Sequence, residues 1–196
     1  RQRQMCIRDS YEVPEGSRTS KGMNIVNLLP LEAEEKITAM IRVSEFEGDK
    51  YLCMVTRQGV IKRTRLDAYS NARKSGLIAI DLDEGDELAW VRMTDGYQKL
   101  IVATRLGMAI CFDENDARVV GRTARGVKAL TLGENDEVVG MSVCRPGGLL
   151  LTVTETGYGR LSELTDYRIQ SRGGKGLTNY HTEDFGNVAG IKLSLI

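Results

Sequence analysis

Four short segments of this 196-residue chain carry a basic residue, a glycine and then an apolar residue. They are Ser20-Lys21-Gly22-Met23, Lys74-Ser75-Gly76-Leu77, Ala124-Arg125-Gly126-Val127 and Gly174-Lys175-Gly176-Leu177. Their shared glycines, at 22, 76, 126 and 176, are separated by 54, 50 and 50 residues. A Thr-x-x-Gly marker closes an apolar run at Thr56-Arg57-Gln58-Gly59, Thr104-Arg105-Leu106-Gly107 and Thr154-Glu155-Thr156-Gly157, at spacings of 48 and 50. Two markers that keep phase over three repeats define a unit of about 50 residues, the period of propeller-like blades and other modular arrays.

Each unit reads as β. Residues 50–55 and 60–63, 99–103 and 108–112, and 149–153 and 158–161 form three copies of one hairpin. The first arms are continuously apolar and suit buried strands, whereas the mixed second arms suit a half-buried face. Glycine in each turn supplies the positive φ that such hairpins often need. A strand is expected before each hairpin, at 36–41, 87–91 and 137–143, and another after each Lys/Arg-Gly, at 25–29, 77–80 and 127–132. Four strands per unit is blade-sized, and no segment shows a long helical period.

Composition narrows the class. The chain is 41% hydrophobic and 28% charged, which fits a globular protein. No apolar stretch is long enough to span a bilayer, and no export leader is evident. Cys6, Cys53, Cys111 and Cys144 are spaced too widely for a zinc knuckle or a redox pair. Cys53 and Cys111 fall in strands as small hydrophobes, so reduced thiols and a cytoplasmic location are expected. One histidine, His181, cannot build a triad or a multi-histidine metal site, and is expected on a surface loop. Acidic connectors recur at 32–35, 83–87 and 133–137. They lack the ligand spacing of a calcium loop and read as solvated turns.

The 27 basic and 27 acidic residues sum to zero, yet they sort by repeat phase. Basic residues gather between the second hairpin arm and the Lys/Arg-Gly marker. The first unit has Arg18 and Lys21, the second Lys62, Arg63, Arg65, Arg73 and Lys74. The third has Arg118, Arg122, Arg125 and Lys128, the fourth Arg160, Arg168, Arg172 and Lys175. Residues of equal phase share a surface in a stacked array. A basic belt on one edge, with acidic turns elsewhere, lets a neutral protein bind a polyanion. The belt has no recurring aromatic for single-strand stacking and no helix for a major groove. Backbone binding to duplex DNA fits it best, with charged loops that merely solubilise the array as the plainer reading.

Enzyme chemistry finds no foothold. Residues 170–176 lack the Walker pattern, because Gly176, Leu177 and Thr178 follow Lys175. The pairs Glu163 and Asp166, and Glu183 and Asp184, read as solvated. None of the seven tyrosines has a recurring acid-base setting to activate it.

The run from Tyr11 to Leu31, with its Ile-Val-Asn-Leu-Leu-Pro-Leu, resembles the C-terminal domain of the bacterial DNA gyrase A subunit. So do residues 82–88 and 135–139. The resemblance implies an all-β fold, a β-pinwheel (propeller-like) of about 50-residue four-stranded blades, here incomplete. Residues 11–196 correspond to about blades 2–5 of six, and residues 1–10 are expected to be an atypical leader foreign to the domain. The family's Gln-Arg-Arg-Gly-Gly-Lys-Gly box has a degenerate copy at Gln170-Ser171-Arg172-Gly173-Gly174-Lys175-Gly176. The implied function is bending and wrapping of duplex DNA on a basic rim, in support of negative supercoiling. The candidate DNA contacts are Arg18, Lys21, Lys62, Arg63, Arg65, Arg73, Lys74, Arg122, Arg125, Lys128, Arg172 and Lys175. The chain itself is expected to be non-catalytic and to hold no cofactor. ATP, Mg and strand cleavage belong elsewhere in the parent topoisomerase, an A2B2 assembly near the nucleoid. A monomeric fragment is expected. The alternatives are a protein-binding propeller-like module and the C-terminal domain of the topoisomerase IV A subunit.

Overall fold

A computed structural model describes residues 15–24, 27, 31, 36–46, 48–71 and 76–194. The expected leader at 1–10, the strand at 25–29 apart from Asn27, the acidic connector at 32–35, Cys6, Arg73 and Lys74 lie outside the described residues.

The strands are β1 (Tyr51–Thr56), β2 (Val60–Arg65), β3 (Leu88–Thr94), β4 (Lys99–Thr104), β5 (Met108–Asp113), β6 (Val127–Lys128), β7 (Val138–Cys144), β8 (Leu149–Thr154), β9 (Gly159–Glu163), β10 (Leu177–Thr178) and β11 (Val188–Ser194). One helical turn, α1 (Thr182–Phe185), and short 3-10 turns interrupt them. The expected hairpins are β1–β2, β4–β5 and β8–β9.

Their turns explain the Thr-x-x-Gly marker. The hydroxyls of Thr56, Thr104 and Thr154 accept from the N–H groups of Val60, Met108 and Tyr158. The amides of Gly59, Gly107 and Gly157 donate to the carbonyls of the same threonines. These glycines have φ of 79°, 85° and 90°, a left-handed conformation that disfavours any side chain.

The blades are not the sequence units. The sheet orders are β3-β1-β2-β6, β10-β5-β4-β7 and β11-β8-β9. Strands β3 and β6 flank the β4–β5 hairpin in sequence, yet both pair with the preceding hairpin. Strands β7 and β10 flank β8–β9 and pair with β4–β5. The first two hairpins are therefore each completed to four strands by segments that follow them in sequence.

Blade stacking accounts for the continuously apolar first arms. Alternate residues of a strand face opposite sides. Leu100 and Val102 join Cys53, Val55, Ile61, Val138 and Met141 in one core cluster. Ile101 and Ala103 join Leu150, Cys111 and Tyr167 in the next. Strand β4 is thus covered on both faces.

Three expected strands differ. Residues 36–41 form no ladder among the described residues, although Ile41 packs against the Met54, Tyr69 and Val91 cluster. Residues 77–80 are not a strand, because the carbonyl of Ala79 is taken by Lys62 Nζ and Tyr69 Oη. The strand at 127–132 shortens to β6, since Ala129 N turns to Gly59 O and Thr131 N to Gly174 O. Two second arms exceed their half-buried expectation, since β5 is almost wholly buried and β2 buries Lys62, Arg63 and Thr64, whereas the third, β9, buries only Ser162.

Candidate nucleic-acid interface

The Lys/Arg-Gly markers are joints. Gly126 and Gly176 have φ of 109° and 83°. A Cβ on Gly126 would lie 2.5 Å from Ile61 O, and one on Gly176 2.3 Å from Ala109 O. Only glycine lets these segments reach the hairpin of the preceding blade. Directly after each glycine the chain adds the short edge strands, β6 beside β2 and β10 beside β5.

A second contact strings successive joints together. Arg122, four residues before Gly126, donates Nη1 to Ile78 O at 3.1 Å. Arg172, four residues before Gly176, donates Nη1 to Lys128 O at 3.0 Å and Nε to Asp116 O at 2.8 Å. Ile78 and Lys128 hold the same phase, two residues after their glycines. Backbone bonds repeat the pattern, Asp81 N to Ala124 O and Thr131 N to Gly174 O. The basic segments of consecutive units are thereby held edge to edge.

The described candidate cations divide into four groups. Arg18, Lys21, Lys128 and Lys175 are exposed. Arg118, Arg160 and Arg168, which share the belt's phase but stand outside the twelve candidates, are also exposed. Arg125 is exposed but donates Nε to Asp83 Oδ1 at 2.6 Å, and Arg65 pairs with Asp67 at 2.9 Å and Asp49 at 3.3 Å. The guanidinium of Arg125 beside Asp83 holds that carboxyl below its usual range. The expectation of acidic connectors kept apart from the belt is corrected here, since Asp83 belongs to such a connector. Arg122 and Arg172 are half-buried and act as the rivets just described.

Lys62 and Arg63 do not lie on the belt surface. Lys62 is 1% exposed and gives its ammonium to the carbonyls of Ala79 and Arg122. Burial, then the Arg122 charge, lowers its pKa to about 8. Arg63 is 3% exposed, 3.3 Å from Glu114 Oε2, and its guanidinium carbon sits 4.0 Å above the Tyr51 ring. Nη1 of Arg63 donates to Asn115 Oδ1 at 2.7 Å. Period-two alternation places one face of β2 inward, but here the neighbouring blades cover both.

The acidic turns do more than meet solvent, which corrects their reading as solvated connectors. Asp86 Oδ1 accepts from Gln58 N at 3.0 Å and Glu87 N at 2.8 Å. Asp136 Oδ1 accepts in the same way from Leu106 N at 2.8 Å and Glu137 N at 2.9 Å. Each aspartate clamps the hairpin turn that precedes it in sequence, within the blade its own following strand joins. Their fixed place in the acidic connector was the available signal. Cys53, Cys111 and Cys144 are free thiols. Burial pushes the Cys53 thiol up to about 12. His181 is exposed at the N-terminal end of α1.

Comparison with known proteins decides the family. A family described as "DNA gyrase C-terminal domain, beta-propeller" matches residues 9–44, 50–95, 98–145 and 148–193. The chain belongs to the DNA gyrase C-terminal domain family. It is 45% identical over 185 residues to the DNA gyrase A subunit of Staphylococcus aureus strain NCTC 8325 / PS 47, covering 92% of this chain and 21% of the relative. The chain thus spans about a fifth of the length of such relatives. A solved C-terminal domain of DNA topoisomerase IV superposes with a TM-score of 0.82 at 29% identity, covering 88% of this chain and 55% of the other. A solved DNA gyrase A C-terminal domain gives 0.74 at 26% identity, covering 86% and 57%. The gyrase C-terminal domain family is all-β and propeller-like here, as its resemblance implied.

Proposed function

We propose that this gyrase C-terminal domain binds duplex DNA along its joints and bends it over successive blades. The carrying observation is the repeated rivet, Arg122 to Ile78 O and Arg172 to Lys128 O, which holds consecutive basic segments side by side. Lys128 and Lys175, with Arg118 and Arg125 beside the same joints, then meet phosphates along one path. Arg18 and Lys21 extend it at the amino-terminal joint, and Arg168 at the carboxy-terminal one. Arg73 and Lys74 belong to the proposed set by sequence phase. Arg65 joins once it leaves its two carboxylates. Arg122 and Arg172 serve as positioning residues that fix these segments.

Phosphate contacts give affinity with little sequence reading. The deformation of DNA costs several kcal/mol, so the contacts must continue from blade to blade. In the whole protein this binding would present a wrapped segment to an A2B2 topoisomerase whose B subunits hydrolyse ATP, in the cytoplasm and at the nucleoid. The reading assigns no catalysis and no cofactor to this chain. Its test is fluorescence anisotropy with a labelled duplex over a salt series, alongside a ligation-closure assay of bending. Binding that weakens steeply with salt and enhanced closure of short circles support the reading. Affinity that ignores salt would contradict it.

A further inference from the structure

The basic segments present an apolar residue as well as cations. Val119 and Ile169 hold the same phase of the repeat and are 44% and 52% exposed. Each directly follows an exposed arginine, Arg118 or Arg168. The backbone around them is fixed. Two residues earlier, Ala117 and Tyr167 are buried. Val119 bridges Arg63 in parallel, and Ile169 bridges Cys111. The next amides, Val120 N and Gln170 N, donate to the carbonyls of Arg63 and Cys111 at 2.9 Å and 2.8 Å.

Val119 stands between two joined neighbours. On one side Arg122 donates to Ile78 O, and Asp81 N donates to Ala124 O. On the other side Arg172 donates to Asp116 O and Lys128 O. With both neighbouring segments in place, its side chain still faces outward. A rigid backbone thus holds an apolar side chain in solvent on the edge that carries the cations, and the next unit repeats it.

We infer, resting on the duplex binding proposed above, that Val119 and Ile169 pack against deoxyribose rings of the bent duplex. Along the edge of β2, Lys128 lies beside Val60 and Val119 beside Arg63. Three strand residues separate the two positions, about 10 Å. That offset carries Val119 off the phosphate held by Lys128 and onto the sugars that line a groove. Ile169, beside Cys111, repeats the relation on the next blade. Apolar contact with sugar carbons adds affinity without releasing counterions, so it leaves the salt slope alone. Proteins that bend duplex DNA through its minor groove commonly combine apolar side chains with cations in this way.

Fluorescence anisotropy of the full chain with a labelled duplex over a salt series separates the two kinds of contact. Val119→Thr/Ile169→Thr keeps the β-branched backbone preference, so circular dichroism and thermal unfolding stay parental. Its affinity is expected to fall roughly fivefold at every salt concentration, with the slope of log affinity against log salt unchanged. Val119→Leu/Ile169→Leu keeps the apolar contact and should bind like the parent. A threonine pair with parental affinity, beside a parent that binds with steep salt dependence, would overturn the sugar contact and leave the phosphate contacts standing. A threonine pair that weakens binding only through a shallower slope would overturn it too. A parent whose affinity ignores salt would overturn the duplex binding itself, and the sugar contact with it.

Discussion

Arg63 on β2 and Glu114, just past β5, form an ion pair that is 4% and 0% exposed in its two side chains. It joins two successive blades through their interior. Glu114 also accepts from Thr94 Oγ1 and, at 2.8 Å, from Gln98 N. The same phase holds Leu66 and Leu164 in the neighbouring units, so this seam departs from the repeat. A buried pair is costly to break because the partner left behind is unpaired. Glu114→Leu or Arg63→Leu alone should lower stability by about 3–5 kcal/mol in urea titration. The double change Arg63→Leu/Glu114→Leu should cost less than either single change. A double variant whose loss equals the sum of the two would show that the charges do not interact.

The aspartate clamps should matter in proportion to burial. Asp86 is 8% exposed and Asp136 half-buried, and each satisfies two backbone N–H groups. Leaving such donors unpaired costs about 1–3 kcal/mol. Asp86→Ala should therefore cost more than Asp136→Ala, measured by denaturant midpoint at constant m-value. Equal midpoints for both variants and the parent would remove the clamps from the account.

Gly176→Ala tests the joint itself. The added methyl meets Ala109 O at 2.3 Å and sits on a φ of 83°. A loss of about 2–4 kcal/mol is expected, with hydrogen exchange speeding up in β5 and β10 first. Gly22→Ala, on a φ of 65° but with nothing within 4 Å, is the control and should cost only the backbone strain of a left-handed alanine, about 1–2 kcal/mol and less than Gly176→Ala.

Lys62 gives a pH signature. Its folded pKa is lowered from 10.5 to about 8, with burial the main cause. Between those values the unfolded chain binds more protons than the folded one, so this residue makes stability rise with pH over that window. Below it, both states are protonated and the contribution is flat. The gain is at most about 3 kcal/mol, and its two carbonyl acceptors reduce it by favouring the ammonium. Lys62→Met should lose this part of the rise. Identical slopes for parent and variant from pH 8 to 10.5 would show that Lys62 does not titrate there.

The hairpins were legible because Thr-x-x-Gly carries its own turn chemistry in four residues. The joints were visible as a periodic glycine, and the charges as a phase. Strand exchange was not legible, since the pairing of Ile61 with Val127 depends on how one blade meets the next. The burial of Lys62 and Arg63 was hidden for the same reason. A basic residue in a mixed strand reads as solvent-facing until a neighbouring blade covers it and supplies carbonyls or a carboxylate. The acidic turns misled similarly, because a short carboxylate that caps another segment's amides looks like any polar loop.

The central claim is that exposed cations beside the riveted joints meet phosphates. The direct measurement is the slope of log affinity against log salt for a duplex, in the parent and in Lys128→Gln/Lys175→Gln. Each phosphate contact contributes about 0.9 to that slope. The account predicts weaker binding for the double variant, a slope shallower by about 2, and unchanged thermal unfolding. A double variant with parental affinity and slope would contradict it.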